Sequence, residues 1–419
     1  MKKILIFIWP EMGHLLPTYH FARKMKELGL DVTYACTDKK IIENIETHGF
    51  NAIEYSSIGD FIGQHKGQSF YNLIKLRQEF LVSLVKENAP DIIVCDSTEQ
   101  HMVGIAIECK LKVCTYSTSI PDRHDWTLLP MGLTYTLIPR WYNPVYAIFC
   151  RLLWLLQRKL ELLLHPYWKN YHKLVHETLE RDKVDIKVDW RCSKRERFCG
   201  TPEVVLCPQC FDYKRTNVDD LFHDGPNIDF SREIATEVEE KNNFKKTIYC
   251  SFGTQLKRLA NPMQVFSSVI QAFVNKPEWQ LIIAVGKECF DELSARYQSN
   301  NIKIMEFAPQ LSILRTADLA IIHGGVGTIK ECIYFGVPLI VLPTGSDQYG
   351  NAYLVEQHSI GIQSSIKDVS AAKIEIMVDK IFTNPIYSQK INRMSELFQR
   401  DKDKSVVTDL VVSMLGISG

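Results

Sequence analysis

The sequence lacks the signatures of several large protein classes. No GxxxxGK[ST] phosphate loop occurs anywhere, and neither half of the chain has a GxGxxG after its first predicted strand. These absences argue against a P-loop NTPase and against a dinucleotide oxidoreductase. An excess of one charge is also missing, because 49 lysine and arginine residues balance 49 aspartate and glutamate residues. Without a clustered basic excess, the sequence gives no support for nucleic-acid binding.

The first residues do not predict a secretory leader either. The apolar run from Ile4 to Trp9 is short and is followed at once by Pro10 and Glu11, so a buried first strand is the better interpretation. Many of the twelve cysteines lie in apolar strands and helices, where a reduced cysteine acts as a small hydrophobic residue. Both features predict a protein of the reducing cytoplasm.

A metal site is considered and not predicted. The cluster Cys192, Cys199, Cys207 and Cys210 includes a CxxC and could in principle hold zinc. The spacing of its first pair is not that of a zinc ribbon. The Asp-Lys-Asp at 401–403 lies in a solvated charge run and gives no evidence for a metal-binding DxD motif.

The chain length and the pattern of elements predict an α/β fold in two domains. A chain of 419 residues is too long for one ordinary core. Strand-like and helix-like runs alternate in both halves, which implies parallel sheets with helices on both faces. The polar stretch 212–243 is the predicted linker. We therefore expect domains at 1–235 and 236–400, followed by a tail at 401–419 that contains an apolar helix, Val406 to Leu415.

The most informative segment begins directly after the apolar run from Leu319 to Ile322. Gly325, Gly327 and Thr328 then open a helical pattern. A helix N-terminus presents backbone N–H groups and the positive end of the helix dipole, and glycines let phosphate oxygens come close. His323 and the Thr328 hydroxyl can add donors. This arrangement predicts an anion site.

The residues that follow predict contacts to sugars. Glu331, one helical turn beyond Thr328, can accept hydrogen bonds from ribose hydroxyls. After a second buried run, Asp347 and Gln348 place a carboxylate beside an amide, which suits vicinal sugar hydroxyls. Each residue alone has an ordinary explanation, as a strand-end histidine, solvated helix surface or loop polar group. Their ordered occurrence favours binding of a nucleotide diphosphate attached to a sugar.

This segment resembles the donor-binding signature of the GT-B nucleotide-sugar glycosyltransferases, the UDP-glycosyltransferase superfamily. Upstream, Phe307-Ala308-Pro309-Gln310 falls where the family begins its signature, usually with tryptophan at the position of Phe307. Val326 and Gly327 stand where the plant branch usually has tryptophan and asparagine. The chain is therefore closer to the bacterial natural-product and carotenoid enzymes.

The resemblance implies two Rossmann-like domains that face one cleft, a tail that packs back on the N-terminal domain, and no cofactor beyond the UDP-sugar co-substrate. It also implies a role for each matching residue. Phe307 stacks on the base, Ala308 reads the base edge, Gln310 and Glu331 hold the ribose, His323, Gly325 and Thr328 hold the diphosphate, and Asp347 and Gln348 contact the sugar.

A second loop of the C-terminal half is a further candidate. Ser251 to Thr254 ends the first strand of that half, and the family places its equivalent loop near the donor diphosphate. Thr254 is therefore a predicted donor residue. A simple strand-to-helix turn remains the alternative interpretation.

The predicted catalytic base is His14. It lies in the loop Trp9 to Pro17, where the first strand passes to its helix, and a neutral imidazole accepts protons near pH 7. Asp96 ends another apolar strand at the same expected sheet edge, where a carboxylate could orient the ring. The pattern PxxGHxxP also resembles the family's N-terminal loop, and Asp96 fits the position of its acidic partner.

The segment 126–168 is rich in large apolar and aromatic residues at helical spacing, interrupted by charges such as Arg151 and Arg158. A core-packing helix is the plain interpretation. The alternatives are a wall of an apolar acceptor pocket and a peripheral, interfacial membrane contact.

The sequence thus predicts an inverting, metal-independent glycosyltransferase. It would move a glucose-type sugar from a UDP-sugar to a hydroxyl group of an apolar small molecule or lipid. UDP and dTDP both stay open as the donor nucleotide, and the acceptor is not specified. The alternatives are a nucleotide-sugar epimerase or hydrolase on the same fold, and a non-catalytic protein that binds nucleotide sugars.

Overall fold

The structure, a computed structural model, describes residues 1–121, 123, 125–126, 128, 144–181, 183–191, 197–215, 218–232, 244–253 and 259–417. Within these residues the chain forms two large sheets, one in each half. The boundary predicted near residue 235 falls in the stretch 233–243, outside the described residues.

The N-terminal half is built around one parallel sheet. Its strands are β1 Lys3–Phe7, β2 Asp31–Cys36, β3 Asn51–Glu54, β4 Ile92–Asp96, β5 Lys112–Ser117, β8 Glu203–Val205 and β9 Leu221–His223, with a separate antiparallel pair, β6 Val188–Asp189 and β7 Arg197–Phe198. The order of the seven strands in the described sheet is β3-β2-β1-β4-β5-β8-β9. The helices are α1 Met12–Leu15, α2 Thr18–Glu27, α3 Lys39–Thr47, α4 Ile58–Gln64, α5 Phe70–Asn88, α6 His101–Glu108, α7 Pro144–Leu164 and α8 Pro166–Arg181.

The C-terminal half repeats this design. Its strands are β10 Lys246–Ser251, β11 Trp279–Ala284, β12 Ile302–Met305, β13 Leu319–Ile322, β14 Leu339–Val341 and β15 Gly361–Gln363. The described sheet has six parallel strands in the order β12-β11-β10-β13-β14-β15. The helices are α9 Pro262–Val274, α10 Lys287–Arg296, α11 Gln310–Leu314, α12 Val326–Tyr334, α13 Gln348–Gln357, α14 Ala371–Thr383, α15 Ile386–Arg400 and α16 Val406–Leu415.

The central strands of both sheets are buried on both faces, which explains why strands such as β4 and β13 are continuous apolar runs rather than alternating ones. In β1, Ile4 and Ile6 belong to one core cluster, whereas Leu5 and Phe7 belong to the cluster on the opposite face. Side chains of a strand point alternately to the two faces, so each strand supplies both layers. The two parallel-sheet domains confirm the predicted fold class.

The sequence pattern indicates a helix from Leu15 to Leu28, but in the structure this helix begins only at Thr18, because Leu15 belongs to a separate short helix. Helix α1 ends at Leu15, and α2 begins at Thr18 with Pro17 as its N-cap residue. Proline has no backbone N–H to donate within a continuous helix, so the break falls at Pro17. The short α1 therefore stands at the carboxyl edge of the sheet, and it carries His14.

The last helix, α16, packs on the N-terminal half. Val407 and Val411 join the core cluster that covers one face of the N-terminal sheet. The Thr408 hydroxyl donates to the carbonyl of Phe21 in α2 at 3.2 Å. The backbone N–H of Val406 donates to Asp224 Oδ1 at 2.9 Å. These contacts tie the C-terminal end of the chain to the N-terminal sheet.

Helix α7 contains most of the described residues in the aromatic-rich segment 126–168, of which 127 and 129–143 lie outside the described residues. It packs on α8. Among the described residues, no helix combines the length and apolarity needed to cross a bilayer.

Candidate active site

The carboxyl ends of β1 and β4 bring His14 and Asp96 together. The two strands are hydrogen-bonded neighbours, so the residues that follow them meet at one edge of the sheet. His14 Nδ1 lies 2.7 Å from Asp96 Oδ2. A carboxylate only accepts, so Nδ1 carries the proton and Nε2 is left as the proton acceptor. The geometry is that of a base and an acid that orients it.

Asp96 is buried and stays ionised because hydrogen bonds surround it. Burial raises the pKa of the Asp96 carboxyl. The charge and hydrogen bond of His14, together with the hydrogen bonds from Thr98, lower this pKa by a larger amount, so the net pKa lies below its usual value. Thr98 donates to Oδ1 from its backbone N–H at 2.8 Å and from its hydroxyl at 2.7 Å.

Carboxylates on both sides of the cleft act on His14. Burial lowers the pKa of the imidazole, but the charge and hydrogen bond of Asp96, with smaller contributions from Glu11 and Asp347, together raise it by more, and the net pKa lies above its usual value. Asp347 belongs to the C-terminal half, so the base lies within electrostatic reach of the predicted sugar site.

The sequence pattern missed Thr118, which follows β5. Its hydroxyl oxygen lies 3.0 Å from His14 Nδ1, so it shares the proton that Nδ1 donates to Asp96. Strand β5 is the next neighbour of β4 in the sheet. The signal that could have found Thr118 is this position, since polar residues at the ends of adjacent parallel strands lie close together.

The predicted anion site has the expected strand, turn and helix. Strand β13 ends at Ile322, and α12 begins at Val326 with Gly325 as its N-cap residue. Gly324 has φ +94°, and a Cβ there would stand 2.7 Å from Val341 Cγ1. A Cβ on Gly325 would stand 2.7 Å from His323 Nε2, whereas one on Gly327 would meet nothing within 4 Å. The first turn of α12 is therefore open toward the cleft at Gly327.

Gln310, Thr328 and Glu331 form one polar cluster at this helix. Gln310 donates from Nε2 to Glu331 Oε2 and, at 3.4 Å, to the Thr328 hydroxyl. Its carbonyl oxygen accepts from the Tyr249 hydroxyl at 3.0 Å. Glu331 is buried rather than part of a solvated helix surface. The cluster presents carboxylate, amide and hydroxyl groups at one wall of the cleft.

Asp347 and Gln348 lie at the start of α13. Gln348 Oε1 accepts from the backbone N–H and the hydroxyl of Thr344 at 2.8 and 2.9 Å, which directs its Nε2 away from that loop. Asn351 was missed by the sequence pattern. Its Nδ2 donates to Gly324 O at 3.0 Å and to Asp347 Oδ2 at 3.1 Å, so it links the glycine turn to the predicted sugar site.

A single cleft between the two halves, about 930 Å³ in volume, contains the predicted residues. Asp96 lies behind His14, and Thr254 is outside the described residues. Phe307 stands at the cleft with 76% of its surface exposed, so one ring face is accessible. The residues that line the cleft include His14, Phe307, Ala308, Gln310, His323, Gly325, Gly327, Thr328, Glu331, Asp347 and Gln348.

Comparisons with known proteins show which family the chain belongs to. Residues 253–409 match the Glycosyltransferase family 28 C-terminal domain. The putative UDP-glucuronosyltransferase ugt-48 of Caenorhabditis elegans is 31% identical over 96% of this chain and 74% of its own length. The chain belongs to the UDP-glycosyltransferase superfamily. The NDP-glycosyltransferase YjiC of Bacillus subtilis is 27% identical over 92% of this chain and 91% of its own length.

Solved structures of glycosyltransferases have the same fold. The structure of the glycosyltransferase of kitacinnamycin superposes with a TM-score of 0.74 at 18% identity, covering 99% of this chain and 98% of that chain. The calicheamicin glycosyltransferase CalG4 follows at a TM-score of 0.72 and 16% identity, with the same coverage. Among relatives by sequence, the match to this chain covers only 33% and 49% of the length of two further proteins. The GT-B arrangement expected for the UDP-glycosyltransferase superfamily is confirmed.

A second cavity, about 600 Å³ in volume, lies in the N-terminal half between α4, α5, α6 and α8. Its walls are mostly apolar, and it shares Trp9 and Thr98 with the cleft between the two halves. Tyr171 and Val175 of α8 line it, whereas the described residues of α7 do not. Through the shared residues Trp9 and Thr98, the cavity adjoins the cleft that contains His14.

The zinc alternative concerns a region described only in part. Cys192 is outside the described residues, and Cys199, Cys207 and Cys210 are free thiols. Burial raises the pKa of the Cys207 thiol well above its usual range. Within the described part of the chain, no three His, Cys, Asp or Glu side chains are grouped closely enough to hold a metal ion.

Proposed function

We propose that this protein transfers a sugar, with inversion, from a UDP-sugar to a hydroxyl group of an apolar small molecule or lipid. The observation that carries the proposal is the placement of His14, with Asp96 behind it, in the same cleft as the N-terminus of α12. A base in one half and an anion site in the other are what a single displacement requires.

In the proposed reaction, His14 Nε2 takes the proton of the acceptor hydroxyl. The hydroxyl oxygen forms a bond to the anomeric carbon while the bond from that carbon to the diphosphate oxygen breaks. The electron pair leaves with the diphosphate, which gives the inverted glycoside and UDP. Asp96 stabilises the imidazolium that forms, because its carboxylate accepts the Nδ1 proton throughout.

The departing diphosphate is stabilised by groups that are already oriented. Backbone N–H groups at the first turn of α12, the His323 ring and the Thr328 hydroxyl line the same cleft, and the space beside Gly327 is open. Fixed donors of this kind need no reorganisation as charge develops. We therefore propose that transfer needs no metal, and that a chelator such as EDTA leaves the rate unchanged.

The donor side favours a UDP-hexose of the glucose type. Exposed Phe307 offers a face for the base, and Gln310 with Glu331 offers acceptors and donors for ribose hydroxyls. Asp347 and Gln348 Nε2 suit vicinal sugar hydroxyls. The nucleotide is proposed as UDP rather than dTDP, and a direct comparison of the two tests this point.

The acceptor side is proposed to be the apolar cavity between α4, α5, α6 and α8. Its volume suits a small molecule or the headgroup end of a lipid. A peripheral contact with a membrane belongs to the same proposal, because an apolar acceptor partitions into lipid.

The decisive experiment has two stages. Thermal unfolding is first measured with UDP-glucose, dTDP-glucose, UDP and dTDP, and a rise in Tm identifies the bound donor. The donor is then incubated with and without a panel of phenols, sterols, carotenoids and polyketides, and the products are analysed by mass spectrometry. Conversion only with acceptor supports transfer, conversion without acceptor indicates an epimerase or hydrolase, and binding without turnover indicates a non-catalytic protein.

A further inference from the structure

Helix α7 buries its arginines and exposes its apolar residues, which is the reverse of an ordinary surface helix. Arg151 and Arg158 face the protein, with 0% and 2% of their surfaces exposed, beside the buried Ala147 and Trp154. The side that faces outward is apolar. Its exposed residues are Val145, Tyr146, Ile148, Phe149, Leu152, Leu153, Leu156, Leu160, Leu163 and Leu164.

The arginines fix this orientation. Arg151 Nη2 donates to the carbonyl of Leu128 at 3.0 Å. Arg158 donates from Nε to the carbonyl of Trp190 at 3.4 Å and from Nη1 to Glu161 Oε2 at 3.3 Å. Rotating the helix to bury its leucines would break these hydrogen bonds and separate the two guanidinium groups from the acceptors that they contact now. The apolar face is therefore set by the packing of the helix.

An apolar face of this extent is rare on a protein surrounded only by water. Monomeric proteins seldom expose a contiguous apolar patch larger than a few hundred Å², and larger patches mark protein or membrane contacts. Leu152 and Leu156 alone expose 53% and 58% of their surfaces on successive turns. This face therefore has the character of a docking surface.

Charge indicates what covers it. Lys159 on α7 and Lys169 at the start of α8 are exposed, and neither is paired with a carboxylate within the part of the chain that the structure describes. The acidic residue of α7, Glu161, is half-buried and paired with Arg158. A two-fold dimer would bring the same patch together twice, which adds cations to the contact and offers no unpaired carboxylate of α7 to neutralise them, and this opposes association. Anionic lipid headgroups would attract them.

We propose that the outward face of α7 docks on the surface of an anionic lipid bilayer. The helix lies in the interface with its leucines in the headgroup and acyl boundary, and Lys159 and Lys169 contact anionic headgroups. Helix α8, whose other side lines the apolar cavity, then lies between that cavity and the lipid. The link to an acceptor taken from the membrane rests on the proposed function, whereas the docking itself does not.

The test measures binding of the full chain to vesicles without any substrate. Wild-type protein is expected to sediment with phosphatidylcholine–phosphatidylglycerol vesicles and to sediment less with vesicles of phosphatidylcholine alone. High salt should reduce its sedimentation with the anionic vesicles. The double variant Leu152→Glu/Leu156→Glu is expected to bind at least about tenfold more weakly. Lys159→Gln/Lys169→Gln should lose about fivefold per lysine on the anionic vesicles only.

The matched control is Ile376→Glu, which places the same charge on an exposed apolar residue of α14 in the other half, where 66% of the isoleucine surface is exposed. It should bind vesicles like wild type. Circular dichroism and thermal unfolding establish that each variant folds.

Two outcomes overturn the docking proposal. One is the absence of wild-type sedimentation with either vesicle. The other is a wild-type dimer in light scattering that Leu152→Glu/Leu156→Glu converts to a monomer. Vesicle binding without any sugar transfer would instead contradict the proposed function and leave the docking proposal standing.

Discussion

His14 and Asp96 are separated by 82 residues in the chain and by 2.7 Å between Nδ1 and Oδ2 in the structure. The carboxylate is fully shielded from water, and its second oxygen is held by Thr98. The imidazole therefore has one orientation and one tautomer available for proton transfer. Its Nε2 is the atom on which the proposed chemistry depends.

Replacing His14 with alanine should remove the base and leave the donor site intact. We expect kcat to fall roughly 10²–10⁴-fold, with an unchanged Tm increase on addition of UDP-glucose. Steady-state kinetics with a fixed alcohol acceptor measures the first effect. His176→Ala, an exposed histidine on α8, is the matched control. Near wild-type turnover in His14→Ala would reject the assignment of the base.

The pH dependence of transfer should respond to Asp96. The pKa of His14 is raised by Asp96, so in wild type kcat/KM rises with pH through a value above the usual histidine pKa, as the imidazole becomes neutral. Asp96→Asn removes the charge that raises this pKa. We expect the acidic limb to move to lower pH and kcat to fall roughly 10²–10⁴-fold. An unmoved limb would show that His14 is not the group that titrates.

Replacing two glycines where β13 passes to α12 should change the free energy of unfolding in opposite directions. Gly324→Ala should lower the free energy of unfolding by about 2–4 kcal/mol, because φ is +94° and the Cβ would stand 2.7 Å from Val341 Cγ1. Gly327→Ala should raise it by about 0.5–1 kcal/mol, since alanine favours a helix and meets nothing within 4 Å.

Urea denaturation measures both variants without ligand, and isothermal titration with UDP-glucose measures donor affinity. Although it stabilises the free protein, Gly327→Ala should weaken donor binding about tenfold or more, because the new methyl occupies space proposed for the diphosphate. Unchanged affinity in this variant would place the diphosphate elsewhere.

Lys330 of α12 links the two halves of the protein. It is buried, its Nζ donates to the carbonyl of Leu206 in the N-terminal half at 2.6 Å, and burial lowers the pKa of its ammonium group. Lys330→Ala should cost about 2–4 kcal/mol of unfolding free energy, from a cavity and an unpaired carbonyl. Lys330→Met keeps most of the volume and should cost less. Equal losses in chemical denaturation of both variants would assign the whole effect to the hydrogen bond.

Local sequence patterns predicted the parts of the site that lie within one strand, turn and helix. The run ending at Ile322, the glycines and the following helix are contiguous, so their spacing predicts the turn directly. His14 and Asp96 were predicted from different segments for one reason. Each follows an apolar strand, and parallel strands share a carboxyl edge.

The sequence by itself determined the α/β alternation, the anion-binding helix terminus and the two strand ends that carry the catalytic candidates, because each depends on residues close together in the chain. Only the tertiary structure decided which distant polar groups meet, such as Thr118 at His14 and Asn351 between Gly324 and Asp347. It also decided that α7 turns its arginines inward, since helical periodicity locates an apolar face without stating what that face contacts. Contacts across elements depend on how the elements pack, which no local spacing specifies.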